Sequence, residues 1–262
     1  MIKSAEDFAR AAKDIADGFL RCHPTKIDVA TLSQFHLGSS NDTKPYQMCL
    51  KTNPGVLKIL GCLPILQKQC MESDLSVIKT IRFPMGAVET MMKSNPSLKV
   101  IHLIRDPRPT IKSQISLGRD KWSNLHSYSK EHCLRVHSDL QATERLLKSH
   151  PNRTKLLLYE DLVVHPVQNV KDLFSFVGLT FTSETERFLQ SRTNSSEDKH
   201  CTTCKSNSTI MTLQWRKELD FNRARIIDGN CKEVYQLLGY LPVNTGSELV
   251  DMSKSLKTER EL

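Results

Sequence analysis

The aliphatic run Lys99-Val-Ile-His-Leu-Ile104 stops abruptly at Arg105-Asp106-Pro107-Arg108-Pro109, and this junction constrains the fold more than any other feature of the sequence. Proline fixes φ near −65° and carries no amide hydrogen, so it ends a strand yet suits the first turn of a helix. The segment therefore predicts a strand over Lys99–Ile104, a tight loop, and a helix that Pro109 starts and Thr110 to Leu117 continues. The pattern recurs. Val77-Ile78 with Ile81 predicts a short strand, Met85–Lys93 a helix, and His126–Ser149 a long helix ended by Pro151. Lys155–Tyr159 then predicts a third strand, followed by a helix from about Pro166 to Val177 that Gly178 closes. Strands alternating with helices of this length imply βαβ units and a parallel sheet covered on both faces, so the expected fold class is α/β.

The flanks are less regular. Phe8, Ala11, Ala12, Ile15 and Phe19 recur at helical spacing within Ser4–Leu20, which predicts an amphipathic opening helix. Asp28–Cys49 is polar and irregular; its Gly38-Ser39-Ser40 lacks the preceding strand and following helix that a phosphate loop needs. Pro54 suits the first position of a short helix that Pro64 should stop or kink. Ser191–Thr209 reads as an exposed loop and Arg223–Leu238 as a last helix. No linker divides the chain, so a single domain over residues 1–243 is expected, followed by a frayed, charged tail over 244–262.

Composition narrows the class. Apolar residues make up 39% of the 262 positions and charged residues 25%, which excludes a disordered tail. No stretch approaches the roughly 20 apolar residues of a membrane span. Glu6, Asp7 and Arg10 fall where a secretory leader would be apolar. Eight cysteines and sequons at Asn41, Asn152, Asn194 and Asn207 nevertheless favour an oxidising lumen, against a cytosolic chain with buried thiols and unused sequons. The formal charge of +8 suits an anionic partner. No nucleic-acid motif accompanies it, so no nucleic acid is expected. Nor does a Gly-x-x-x-x-Gly-Lys-Ser/Thr loop point to an ordinary nucleotide-phosphate enzyme.

In open α/β sheets ligands bind beyond the carboxyl ends of the strands, where helix N-termini present unpaired amides. Arg105, at such a strand exit, offers a forked donor to a phosphate, and Ser113 on the following helix adds a hydroxyl. The same residues equally fit a surface arginine paired with Asp106 and an unremarkable helix serine; the sequence leaves both readings open. Lys79 and Arg82 alternate poorly with a buried strand unless they face an anion, so they are candidates for a substrate or donor site. Glu160 and Asp161 read as structural carboxylates, and Trp215 as core packing. Cys201-x-x-Cys204 supplies only two ligands, so no metal site is expected.

The stretch from Lys99 to Ser113 resembles the 3′-phosphate-binding motif of sulfotransferases, in which an arginine after a strand and a serine eight residues later hold the 3′-phosphate of 3′-phosphoadenosine 5′-phosphosulfate (PAPS). Lys79-Thr-Ile-Arg82, Leu158-Tyr-Glu-Asp-Leu162, Trp215-Arg216 with Cys231, Leu238-Gly-Tyr-Leu-Pro242 and Phe19-Leu-Arg-Cys22 are likewise similar to segments of the Golgi carbohydrate sulfotransferases, and the resemblance spans roughly residues 8 to 243. It implies a P-loop-NTPase-like fold, PAPS as co-substrate with adenosine 3′,5′-bisphosphate (PAP) as product, no metal, and a glycan, glycoprotein or proteoglycan acceptor. Arg105, Ser113 and Arg216 would contact the nucleotide. The catalytic base is not identifiable. The family's Arg/Ser/Gly-rich loop for the 5′-phosphosulfate, its first strand and the membrane anchor of the full-length protein have no counterpart here, so a truncated chain is expected, with a non-catalytic PAP- or glycan-binding remnant as the alternative.

Overall fold

In a computed structural model of the chain, residues 4–55, 57–193 and 212–258 are described. They form two compact units, Met1–Pro96 and Ser97–Leu262, where the sequence predicted one domain. The fold class is α/β, as expected: helices surround a parallel pair of strands.

The first unit is helical. Helix α1 (Ala5–Leu20) starts at Ser4, whose hydroxyl accepts from the Asp7 amide, with Glu6 and Asp7 favouring the positive helix end. After α2 (Val29–Leu32) and α3 (Lys44–Thr52), α4 runs over Lys58–Met71 and carries Pro64 inside it. The helix begins at Lys58 and not at Pro54, and Pro64, expected to stop or kink it, does not stop it. A core of Ile27, Leu32, Tyr46, Leu50, Ile59 and Leu66 is stapled by the Cys22–Cys70 and Cys49–Cys62 disulfides. The predicted strand at Val77–Ile81 does not form: both residues are exposed, the segment is irregular, and Arg82 sits at φ 63°. Three aliphatic residues without a ladder partner cannot satisfy strand hydrogen bonding. Helix α5 (Met85–Ser94) closes the unit.

In the second unit, β1 (Val100–Ile104) and β2 (Thr154–Leu158) pair in parallel, with Val100 opposite Thr154 and Ile104 opposite Leu158. The crossover contains α6 (Pro107–Ser116) and the 25-residue α7 (Leu125–Ser149). One face of the pair, with Ile104 and Leu158, enters the core. On the other face Leu157 is buried, while Ile101 is 39% and Leu103 50% exposed, so the cover is less complete over β1 on that side. Helices α8 (Tyr159–Val164), α9 (Pro166–Val177) and α10 (Ser183–Thr193) follow. Gly178, at φ 87°, takes the left-handed conformation that ends α9.

The expected final helix is two, α12 (Phe221–Asn230) and α13 (Lys232–Leu238), after a short α11 (Trp215–Glu218). They divide at Cys231, which is bonded to Cys133 of α7. Nor do residues 244–258 fray. Helix α14 (Gly246–Val250) packs through Leu249, and Lys257 bridges back to Tyr240. The predicted loop falls mainly on residues outside those described, as do Cys201, Cys204, Asn194 and Asn207; Asn41 and Asn152 are exposed. Among the described residues no helix is long and apolar enough to cross a membrane.

Candidate functional site

The carboxyl ends of β1 and β2 open into two different structures. After β1 the chain turns at Asp106, whose side chain accepts from the Arg108 amide at 2.9 Å and so caps α6. After β2, α8 begins at once with Tyr159 and Glu160. Because Ile104 lies opposite Leu158, Arg105 and Tyr159 leave adjacent strand ends together, and the guanidinium lies over the phenol ring at 4.6 Å. Arg105 Nε is buried and has no hydrogen-bond partner among the described residues.

Asp106 is the partner the sequence could have given to Arg105. The structure gives it to Arg108. The capping geometry brings the Asp106 carboxylate onto the Arg108 fork, with Nε to Oδ1 at 3.0 Å and Nη2 to Oδ2 at 2.7 Å. Arg108 Nη1 donates to the Leu241 carbonyl at 2.9 Å and faces Asp228 at 3.6 Å, and the guanidinium lies 4.8 Å from the Trp215 ring and 5.1 Å from the Tyr235 ring. Burial alone would weaken its hold on the proton, but Asp106 foremost among its neighbours outweighs burial and raises its pKa. Asp228 accepts from the Tyr235 hydroxyl at 2.8 Å and the Val243 amide at 2.9 Å. These residues were not foreseen as a network.

Glu160 closes the other side. One oxygen accepts from the Asp106 amide at 3.0 Å and the other from the Tyr240 hydroxyl at 2.8 Å, while burial first, and Asp106 next, push its pKa up. Asp161 pairs with Lys257. Both carboxylates are engaged structurally, in keeping with their sequence reading.

The other predicted residues divide. Ser113 is exposed on α6, opposite the buried Ile111 and Ile115. Since Pro107, and not Pro109, begins the helix, Ser113 lies nearly two turns in, farther from the positive helix end than the sequence suggested. Arg216 presents no fork to a ligand here. It is 1% exposed, and its donors reach the carbonyls of Leu249, Lys254, Glu248 and Asp251 at 2.7–2.8 Å, tying down the chain around α14. Lys79 and Arg82 are exposed in the irregular segment of the first unit. No cluster of metal-ligating side chains occurs among the described residues.

A strand exit where a buried arginine Nε has no acceptor among the described residues, beside a capped helix, is a fitting place for an anion, and the comparisons point to the same class. The sequence model of the sulfotransferase family matches residues 56–183 of the chain. The chain is similar to carbohydrate sulfotransferase 3 of Mus musculus, 25% identical over 98% of this chain and 62% of that protein. It is also similar to carbohydrate sulfotransferase 5 of Homo sapiens, 28% identical over 75% of the chain and 53% of that protein. A third relative, carbohydrate sulfotransferase 1 of Homo sapiens, is 24% identical over the whole chain and 71% of its own length. The chain spans 53–62% of the length of the first three curated relatives it matches.

Proposed function

We propose that the turn after β1 holds the 3′-phosphate of an adenosine nucleotide through Arg105 and Ser113, and that the protein transfers a sulfuryl group from PAPS to a sugar hydroxyl of a glycan. One observation carries the reading. Arg108 and Arg216 have their donors satisfied by internal carboxylates and carbonyls, whereas Arg105 Nε is buried with no partner among the described residues. A donor in that state costs stability unless an acceptor arrives, and a phosphate oxygen at a strand exit is such an acceptor.

In the transfer, the sulfur–oxygen bond to PAP breaks as a bond to the sugar oxygen forms, and the hydroxyl proton passes to a general base. Arg105 and Ser113 anchor the departing nucleotide; they move no proton. Asp106 and Glu160, the carboxylates beside Arg105, are committed to Arg108, an amide and Tyr240, so the turn itself supplies no base. That commitment favours a second reading, nucleotide binding without transfer. Lys79 and Arg82 belong to the proposal as donor- or acceptor-site cations. A glycoprotein or proteoglycan acceptor, a Golgi location and glycans at Asn41 and Asn152 complete it; the three disulfides support an oxidising compartment.

The test pairs calorimetric titration of PAP with a sulfate-transfer assay on a panel of sugars. PAP is expected to bind more tightly than adenosine 5′-monophosphate, and Arg105→Ala to weaken PAP by roughly tenfold to a hundredfold, the loss of a charge-assisted donor. Sulfate appearing on a sugar supports transfer; binding without transfer supports the second reading; no preference for PAP rejects both.

A further inference from the structure

We propose that Tyr159 is a positioning residue for Arg105, setting the plane of the guanidinium while leaving its donor edge to the nucleotide's 3′-phosphate; the inference rests on the donor reading above. An arginine that must meet an incoming phosphate faces two opposing demands. Its long side chain loses much rotamer freedom when fixed, so it binds better if held in place beforehand. The usual means, a carboxylate partner, occupies the donors and charge that the phosphate needs. An aromatic face avoids this conflict, because stacking engages the flat side of the guanidinium and none of its N–H groups.

The structure contains this arrangement and the means of keeping the competing one out. The parallel register sets Ile104 opposite Leu158, and the next residue on each strand supplies one member of the stack, with the guanidinium 4.6 Å from the ring centroid. Asp106 follows Arg105 directly and Glu160 follows Tyr159, so both carboxylates lie within a residue of the pair. Yet Arg108 binds Asp106 in bidentate fashion, and Glu160 accepts from the Asp106 amide and the Tyr240 hydroxyl. Neither is bonded to Arg105, whose Nε has no acceptor among the described residues. The network around Arg108 thus holds two anions away from Arg105, and Tyr159 orients it.

Titrations of PAP and of adenosine 5′-monophosphate, which lacks the 3′-phosphate, into the whole chain test this. Tyr159→Leu is expected to weaken PAP roughly tenfold while leaving the monophosphate affinity and the unliganded melting temperature unchanged, and Tyr159→Phe to stay within about twofold of the unsubstituted chain. A merely structural tyrosine would alter both ligands together or lower the unliganded melting temperature. Should Tyr159→Leu fold poorly, Tyr159→Met, which fills the same space without a π face, carries the same expectation. If the leucine or methionine variant keeps the full preference for PAP while Arg105→Ala loses it, the role of Tyr159 is overturned and the donor reading stands. If the unsubstituted chain shows no such preference, or Arg105→Ala retains it, the donor reading fails and this inference with it.

Discussion

Two arginines three positions apart behave as opposites, and the difference is decided by one capping bond. Once the Asp106 side chain accepts from the Arg108 amide to start α6, its carboxylate meets the Arg108 fork, and Arg105 is left to the ring of Tyr159. The sequence shows the residue types at the turn but not this choice, which needs the three-dimensional cap. Because Arg108 is wholly buried with Asp106 and near Asp228, Arg108→Met strands two carboxylates in the core. It should cost about 3–5 kcal/mol in urea unfolding, and adding Asp106→Asn should recover part of the loss. His102 behaves differently. Its Nδ1 lies 2.7 Å from the Thr143 hydroxyl, which itself donates to the Asp139 carbonyl, so the imidazole is assigned as the Nδ1–H donor. Burial pushes its pKa from the ordinary 6.5 down to about 4. The unfolded chain therefore takes up this proton before the native chain does, and stability from this group, complete above pH 6.5, is lost as pH falls towards 4. Urea unfolding at pH 7 and pH 4.5 should differ by about 2–3 kcal/mol more in the unsubstituted chain than in His102→Asn; an equal difference would show that His102 is not the source.

Elements with punctuation were legible, and those defined by a distant partner were not. The strand before Arg105-Asp106-Pro107, the strand after Pro151, and α9 between Pro166 and Gly178 each carry their own stop signals, and their boundaries fall within a residue or so of expectation. The segment with Val77 and Ile81 has strand-like composition and no neighbour to pair with, a fact composition does not encode. The break between α12 and α13 and the order of residues 244–258 likewise depend on Cys133, 98 positions away from Cys231, and on the carbonyls that Arg216 gathers. Removing the Cys133–Cys231 bond by a paired alanine substitution should therefore cost the second unit about 4–5 kcal/mol in the chain-entropy limit. Removing Cys49–Cys62, with its separation of 13, should cost the first unit about 3 kcal/mol; the two midpoints in denaturant, followed by hydrogen exchange in each unit, measure the difference. Arg216→Gln should speed amide exchange over Glu248–Ser255 before it affects β1.

On the scale of the molecule, the resemblance to sulfotransferases and the α/β class were readable because the motifs that carry them are local in sequence, whereas the division at Pro96 was not, since no Gly- or Ser-rich linker marks it. Of the proposed site, Arg105 and Ser113 were visible as residue types, while the stacking, the excluded carboxylates and the internal use of Arg216 required the fold. The disulfide map has one more consequence. All four cysteines of residues 1–96 are bonded to one another, as Cys22–Cys70 and Cys49–Cys62, and Cys133 is bonded to Cys231 within the remainder. A single protease nick near Pro96 should therefore release two fragments on a denaturing gel without any reductant, each migrating as an internally looped chain that slows only when thiols are added.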